Sequence, residues 1–181
     1  MAVLMRSRAA LIVVDVQTKL LNKMEERASL LHNIELLLSA AKELEVPIVV
    51  TEQYPKGIGP TEESLLGELS SPEVIEKDTF SCFGEPSFNE TLTRKEVRHL
   101  ILCGIESHVC VYQTALQGLE QGYSVFVAAD AVSSRKQQHK EWALADMRQW
   151  GCTVVPTETL VFQLLERCGT KEFKALLPLI K

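Results

Sequence analysis

Short runs of consecutive apolar residues, rich in β-branched side chains, alternate along the chain with stretches of helical period. Residues 10–14 (ALIVV) are uninterrupted apolar sequence, the pattern of a strand buried on both faces. Leu30, Leu31, Ile34, Leu37, Leu38, Ala41 and Leu44 recur at three- and four-residue spacing, which predicts an amphipathic helix. Pro47 stops it before a second strand at 48–50. Residues 52–71 carry Pro55, Gly57, Gly59, Pro60 and Gly67 and read as loop with about one turn of helix. A weak third strand at 74–75 ends at Glu76 and Lys77, followed by a loop over 80–88 and a helix around 89–95. HLILC at 99–103 predicts a fourth strand broken by Gly104, and 108–122 a helix ended by Gly122. A fifth strand at 125–129, a helix over 136–150, a sixth strand at 153–155 and helices at 159–167 and 171–177 complete the pattern.

Six strands interleaved with helices imply an α/β fold: a three-layer αβα sandwich around a six-stranded, mostly parallel, Rossmann-like sheet. Neither a repeat nor a linker divides the chain, and 181 residues suit roughly one domain, so residues 1–181 are expected to form a single unit. Hydrophobic residues at 46% with a net charge of −5 exclude a disordered chain, and the lack of any run of 18 uncharged apolar residues excludes a membrane span. The 19 basic residues form no basic run, which argues against a nucleic-acid partner. Five cysteines (Cys82, Cys103, Cys110, Cys152, Cys168) are an odd number without C-x-x-C or metal-like spacing, as expected of free thiols in a reducing cytosol. The N-terminal MAVLMRSRAALIVVDVQ reads as a first strand rather than a signal peptide, which also predicts a cytoplasmic protein.

Ligands of such sheets bind beyond the carboxyl ends of the strands. The polar residues there are Asp15 and Gln17 after the first strand; Thr51, Glu52 and Gln53 after the second; and Lys77 and Asp78 after the third. Glu106, Ser107, His108 and Cys110 follow the fourth strand, and Asp130, Ser133, Ser134 and Arg135 the fifth. Cys110 falls in the expected first turn of a helix, where unpaired N–H groups and the macrodipole favour a thiolate and backbone amides are able to hold an oxyanion. With a carboxylate and a lysine nearby these are the parts of an acyl-transfer site, although a buried structural cysteine is the commoner use of such a position.

Four segments carry a family resemblance: LIVVDVQ (11–17), IEKDTFSCF (75–83), LCGIESHVCVYQTAL (102–116) and ADAVSSR (129–135). The chain resembles, over nearly its whole length, the isochorismatase-like cysteine hydrolases, which include nicotinamidases and N-carbamoylsarcosine amidohydrolase. TEQYPKGIGPT (51–61) is similar to the branch of isochorismatase domain-containing proteins. The resemblance implies Asp15 as general base, Lys77 as the stabiliser of the anionic groups and Cys110 as nucleophile. It also implies a cis peptide at Ile105–Glu106 and an oxyanion hole from the N–H groups of Glu106 and Cys110.

Two departures shape the expected chemistry. Nicotinamidases carry metal-binding histidines after the second strand, whereas Thr51-Glu52-Gln53-Tyr54-Pro55 has none, so neither metal nor other cofactor is expected and nicotinamide is a poorer candidate. True isochorismatases cleave a vinyl ether and lack the cysteine, so Cys110 favours amide or carbamoyl C–N bonds. The competing readings are a vinyl-ether or ester hydrolase without a covalent intermediate, a silent binding or scaffold protein, and a ribonuclease. Gln17, Phe80, Phe83 and Tyr112 are candidates to line a small-molecule pocket or to pack in the core. Arg135 is a candidate for a substrate carboxylate or an ion pair. His108 reads as a helix-start or interface residue, and Trp142 and Trp150 as packing residues, Trp150 with a role in a dimer. The resemblance implies a homo-oligomer, dimer or larger, joined through residues 52–70 or the C-terminal helices.

Overall fold

A computed structural model of the chain describes residues 3–67, 69 and 72–180. Six strands build one sheet: β1 (Ala9–Val14), β2 (Ile48–Gln53), β3 (Glu73–Lys77), β4 (His99–Ile105), β5 (Ser124–Ser133) and β6 (Thr153–Val155). Their order is β3-β2-β1-β4-β5-β6 and every pairing is parallel. The helices are α1 (Thr18–Leu21), α2 (Arg27–Glu43), α3 (Pro55–Ile58), α4 (Glu63–Gly67), α5 (Pro86–Arg94), α6 (Tyr112–Glu120), α7 (Gln137–Trp150), α8 (Thr157–Leu165) and α9 (Lys171–Ile180).

Burial of β1 at all six positions follows from a layer on each side. Ala9, Leu11 and Val13 join the core beneath α2, α8 and α9, which supply Ile34, Leu37, Leu160 and Leu176. Ala10, Ile12 and Val14 point the other way, into the core beneath α5, α6 and α7, with Phe88, Leu92, Ala115 and Met147. Alternate residues of one strand thus serve both cores, the period of two that a pleated strand imposes. None of the helices among the described residues is long and apolar enough to cross a membrane.

Element boundaries differ from the sequence pattern where polar residues are satisfied inside the fold. β2 runs on through Thr51 and Glu52, both buried, because Asp15 accepts from Thr51 and Glu52 accepts from the backbone and hydroxyl of Thr61. The expected loop at 52–71 therefore contains the end of β2, α3 and α4; its Glu68, Ser70 and Ser71 lie outside the described residues. β3 begins at Glu73, and α5 at Pro86 rather than around Asn89, proline being pre-set for a first helical position. β5 continues to Ser133, past the expected end at Ala129, with a register shift against β4 between Leu102 and Gly104. Beyond the expected ends, α8 starts at Thr157, whose N–H and hydroxyl both donate to Asp130 at 2.7 Å, and α9 passes through Pro178.

Gly104 does not break β4, as its sequence position suggested, but lets it continue. It pairs with Val14 at φ +115°, and a Cβ there would overlap the carbonyl oxygen of Val14 and lie 2.7 Å from its nitrogen. Only glycine lets β4 run this close against the end of β1, which brings the turn after β4 beside Asp15. Gly104→Ala should destabilise the protein by on the order of 3 kcal/mol, read as a fall in the chemical-denaturation midpoint.

Candidate active site

The strand order reverses between β1 and β4, and the carboxyl edge at such a switch point is where open α/β sheets bind ligands. Asp15 is the first residue beyond β1. Its φ of +51° is a left-handed conformation that aspartate tolerates better than most residues, and it turns the chain sharply at the edge. The Asp15 N–H donates to the Thr51 carbonyl at 3.1 Å and its own carbonyl accepts from Gln17 at 2.7 Å. Lys77 ends β3, two strands away, and its side chain spans β2 to place Nζ 2.7 Å from Asp15 Oδ2. Neither side chain of this pair is exposed.

Four oxygens surround the lysine ammonium, more than its three protons satisfy singly. Besides Asp15, Nζ donates to Gln53 Oε1 at 2.6 Å and to the carbonyls of Thr79 and Phe80 at 3.1 Å each. Gln53 is oriented in turn, because its Nε2 donates to the Asp78 carbonyl and its backbone N–H to Gln17 Oε1. The other Asp15 oxygen accepts from Thr51 Oγ1 at 2.7 Å, and the Cys82 thiol donates to that same hydroxyl at 3.8 Å. Thr51 and Gln53 stood among the strand-end polar residues, but their roles as partners of Asp15 and Lys77 depend on β2 lying between β1 and β3.

Cys110 lies in a π-helical turn, Ser107–Val111, between β4 and α6, rather than in an ordinary first α-turn. It is buried, with 7% of its surface exposed, and close enough to the Asp15 carboxylate for that charge to act on the thiol. Burial, then the charge of Asp15, push the Cys110 thiol well above its ordinary value against the opposing pull of Lys77. These surroundings favour the protonated thiol, whereas a helix start favours the thiolate. Burial alone would lower the Lys77 ammonium, but Asp15, with Cys110 and Cys82, holds it above its ordinary value. Cys82, fully buried, is pushed up to about 11 chiefly by burial. Ile105–Glu106 is a cis peptide.

The other candidates are dispersed. Gln17 is fully buried and its amide is taken up by Gln53 and the Gly59 carbonyl, so it ties the 53–59 loop down instead of lining a pocket. Phe83 is core, packing at right angles on Phe88 with centroids 5.1 Å apart. Phe80 is exposed above Lys77. Arg135 pairs with Glu106, donating from Nε at 2.9 Å and from its backbone N–H at 3.0 Å. Tyr112 donates to Asp146 at 2.6 Å and, with His108, His139, Trp142 and Ala143, lines a groove of about 370 Å³ between α6 and α7. His108 contacts Ser134 at 2.9 Å through Nδ1. Trp142 and Trp150, read as packing residues, are instead 60% and 64% exposed. Among the described residues, no three His, Cys, Asp or Glu side chains are grouped to hold a metal ion.

Comparison with known proteins identifies the family. Residues 9–159 match the isochorismatase domain family. Isochorismatase family protein 1B of Dictyostelium discoideum is 37% identical over 177 residues, 96% of this chain and 86% of that protein. Isochorismatase domain-containing protein 2 of Danio rerio is 35% identical over 95% of this chain and 86% of its own. The structure of the MAR1 ribonuclease from Caenorhabditis elegans superposes with a TM-score of 0.92 at 36% identity, covering 99% of this chain and 92% of that one.

Lys77→Met would leave the Asp15 carboxylate buried without its cation, and should lower the unfolding free energy by about 3–5 kcal/mol in urea at pH 7. Adding Asp15→Asn should recover part of that loss. Because Lys77 is held above its unfolded value of about 10.4, its contribution is full below that pH and is lost as the pH rises through the folded value. Wild type should therefore lose stability in that alkaline range more steeply than Lys77→Met.

Proposed function

The chain belongs to the isochorismatase family of hydrolases, and from that premise we propose that it is a metal-independent cysteine hydrolase cleaving a small amide or carbamoyl C–N bond. The observation that carries this reading is the solvent-free Asp15–Lys77 pair, whose carboxylate charge acts on the neighbouring Cys110 thiol. A buried ion pair is a weak stabiliser, because desolvation offsets most of the attraction. A nucleophile, a base and a charge anchor converging at a sheet's switch point suit covalent catalysis.

In the proposed cycle Asp15 takes the proton of Cys110 as Sγ bonds to the substrate carbonyl carbon, and the C=O π pair moves onto oxygen. The backbone N–H groups of Glu106 and Cys110 face that developing charge. The oxyanion collapses, the C–N bond breaks, and the leaving nitrogen takes the proton from Asp15, giving a thioester and an amine or ammonia. Water then loses a proton to Asp15 as its oxygen bonds to the thioester carbon; the C–S bond breaks, the acyl group leaves as the acid, and Cys110 takes the proton back from Asp15. Lys77 stays protonated throughout and keeps Asp15 anionic between steps.

The slight exposure of Cys110 supports a small substrate. The Caenorhabditis elegans neighbour is named a ribonuclease, which raises RNA cleavage as a second reading. A net charge of −5 without a basic run, and a site whose lysine is already surrounded by four oxygens, weigh against it. The homo-oligomer belongs to the same proposal, with the exposed Trp142 and Trp150 of α7 supporting a self-contact there.

A panel of small amides, carbamoyl compounds, vinyl ethers and a labelled RNA tests the reading. Hydrolysis should be confined to the C–N compounds and fall by about 10⁴-fold or more in Cys110→Ala; RNA cleavage, or turnover indifferent to Cys110→Ala, would contradict it. Asp15→Asn should separate two properties. Removing the anion that holds Cys110 up leaves Lys77 to favour the thiolate, so iodoacetamide should modify Cys110 at lower pH than in wild type while hydrolysis is lost.

A further inference from the structure

Among the described residues one buried side-chain polar atom has no hydrogen-bond partner, the hydroxyl oxygen of Ser107. Ser107 is wholly shielded from solvent. Proteins nearly always pair such groups, because leaving one unpaired is costly. Serine at the start of a helical turn ordinarily caps a backbone N–H two or three residues on. Ser107 opens the turn Ser107–Val111 without doing so, and its hydroxyl is not bonded to Cys110 Sγ either.

Its place in the chain makes this orphan hydroxyl informative. Ser107 precedes Cys110 by three residues within the same π-helical turn, so the two share the short segment between β4 and α6. The other polar side chains around that turn are committed elsewhere: His108 to Ser134, and Glu106 to Arg135. Ser107 is thus the polar side chain of the turn whose buried oxygen has no hydrogen-bond partner.

Resting on the reading of Cys110 as nucleophile, we infer that Ser107 is a catalytic residue whose hydroxyl donates to the substrate's acyl oxygen and stabilises the oxyanion formed there. Ser107 transfers no proton and forms no covalent bond; its O–H turns toward the oxygen that receives the carbonyl π pair when Sγ–C forms. The hydroxyl adds a side-chain donor to the backbone amides, and it fits carboxamide, carbamoyl or ester carbonyls. A hydrogen bond that strengthens as charge develops accelerates the chemical step rather than merely tightening binding.

Two reagents that meet Cys110 differently provide the test. Acylation by p-nitrophenyl acetate passes through an oxyanion; alkylation by iodoacetamide is a displacement at carbon and does not. Ser107→Ala should slow acylation of Cys110 by about 10²-fold while leaving its alkylation rate essentially unchanged. Since the lost hydroxyl had no partner, the thermal midpoint should stay level or rise, whereas a structural hydroxyl would lower it. Ser107→Thr, which keeps the hydroxyl, should retain the wild-type ratio of the two rates. Equal acylation of wild type and Ser107→Ala would overturn the role of Ser107 alone. Failure of p-nitrophenyl acetate to acylate Cys110 in wild type would overturn it together with the nucleophile assignment.

Discussion

The contact between Lys77 and Asp15 is the constraint around which the rest of the site is arranged. Two full charges stand 2.7 Å apart with no exposed surface on either side chain. Water does not share the load, so protein oxygens must surround the ammonium, and Gln53, Thr79 and Phe80 do so. The carboxylate needs donors in turn, and Thr51 and Lys77 supply them. The partners come from β2 (Thr51, Gln53), the end of β3 (Lys77) and the loop after it (Thr79, Phe80), and only the order β3-β2-β1-β4 brings them, Asp15 and the Cys110 turn to one edge. The fold and the pair are therefore interdependent: the sheet holds the charges together, and the charges leave the sheet little freedom in register.

The same burial sets the chemical character of the cysteine. A thiolate beside a helix start is the familiar route to an active cysteine, but here the neighbouring carboxylate and the low-dielectric surroundings oppose it. Reactivity then depends on moving the proton during attack, with Asp15 poised to take it, rather than on a standing anion. A neutral thiol at rest is also less exposed to oxidation than a thiolate, since oxidants attack the anionic form.

Much of this was legible in the residues. Uninterrupted apolar runs identified buried parallel strands because both faces of β1 pack against helices. Strand-end position put Asp15, Lys77 and Cys110 among the polar candidates, since the carboxyl edge is where backbone geometry opens toward solvent, and the family resemblance singled them out. Long-range pairing stayed hidden. Position left Gln17 and Phe83 open between pocket and core, and the choice is made by Gly59, Gln53 and Phe88, contacts that local sequence does not encode. Gly104 looked like a strand breaker because glycine usually is one; its close approach to Val14 exists only once β1 and β4 pair. Tryptophan hydrophobicity suggested packing for Trp142 and Trp150, whereas both are exposed, Trp142 at the groove between α6 and α7. The orphan hydroxyl of Ser107 has no sequence signal, because lacking a partner is a property of the surroundings.

The most direct measurement is acid-quenched mass spectrometry of the wild-type protein during turnover of a hydrolysable amide, with the modified residue located by peptide mapping. The account predicts one acyl group in thioester linkage on Cys110, appearing before product accumulates and decaying at the turnover rate. Steady turnover with Cys110 unmodified, or an acyl group carried on another residue, would contradict it.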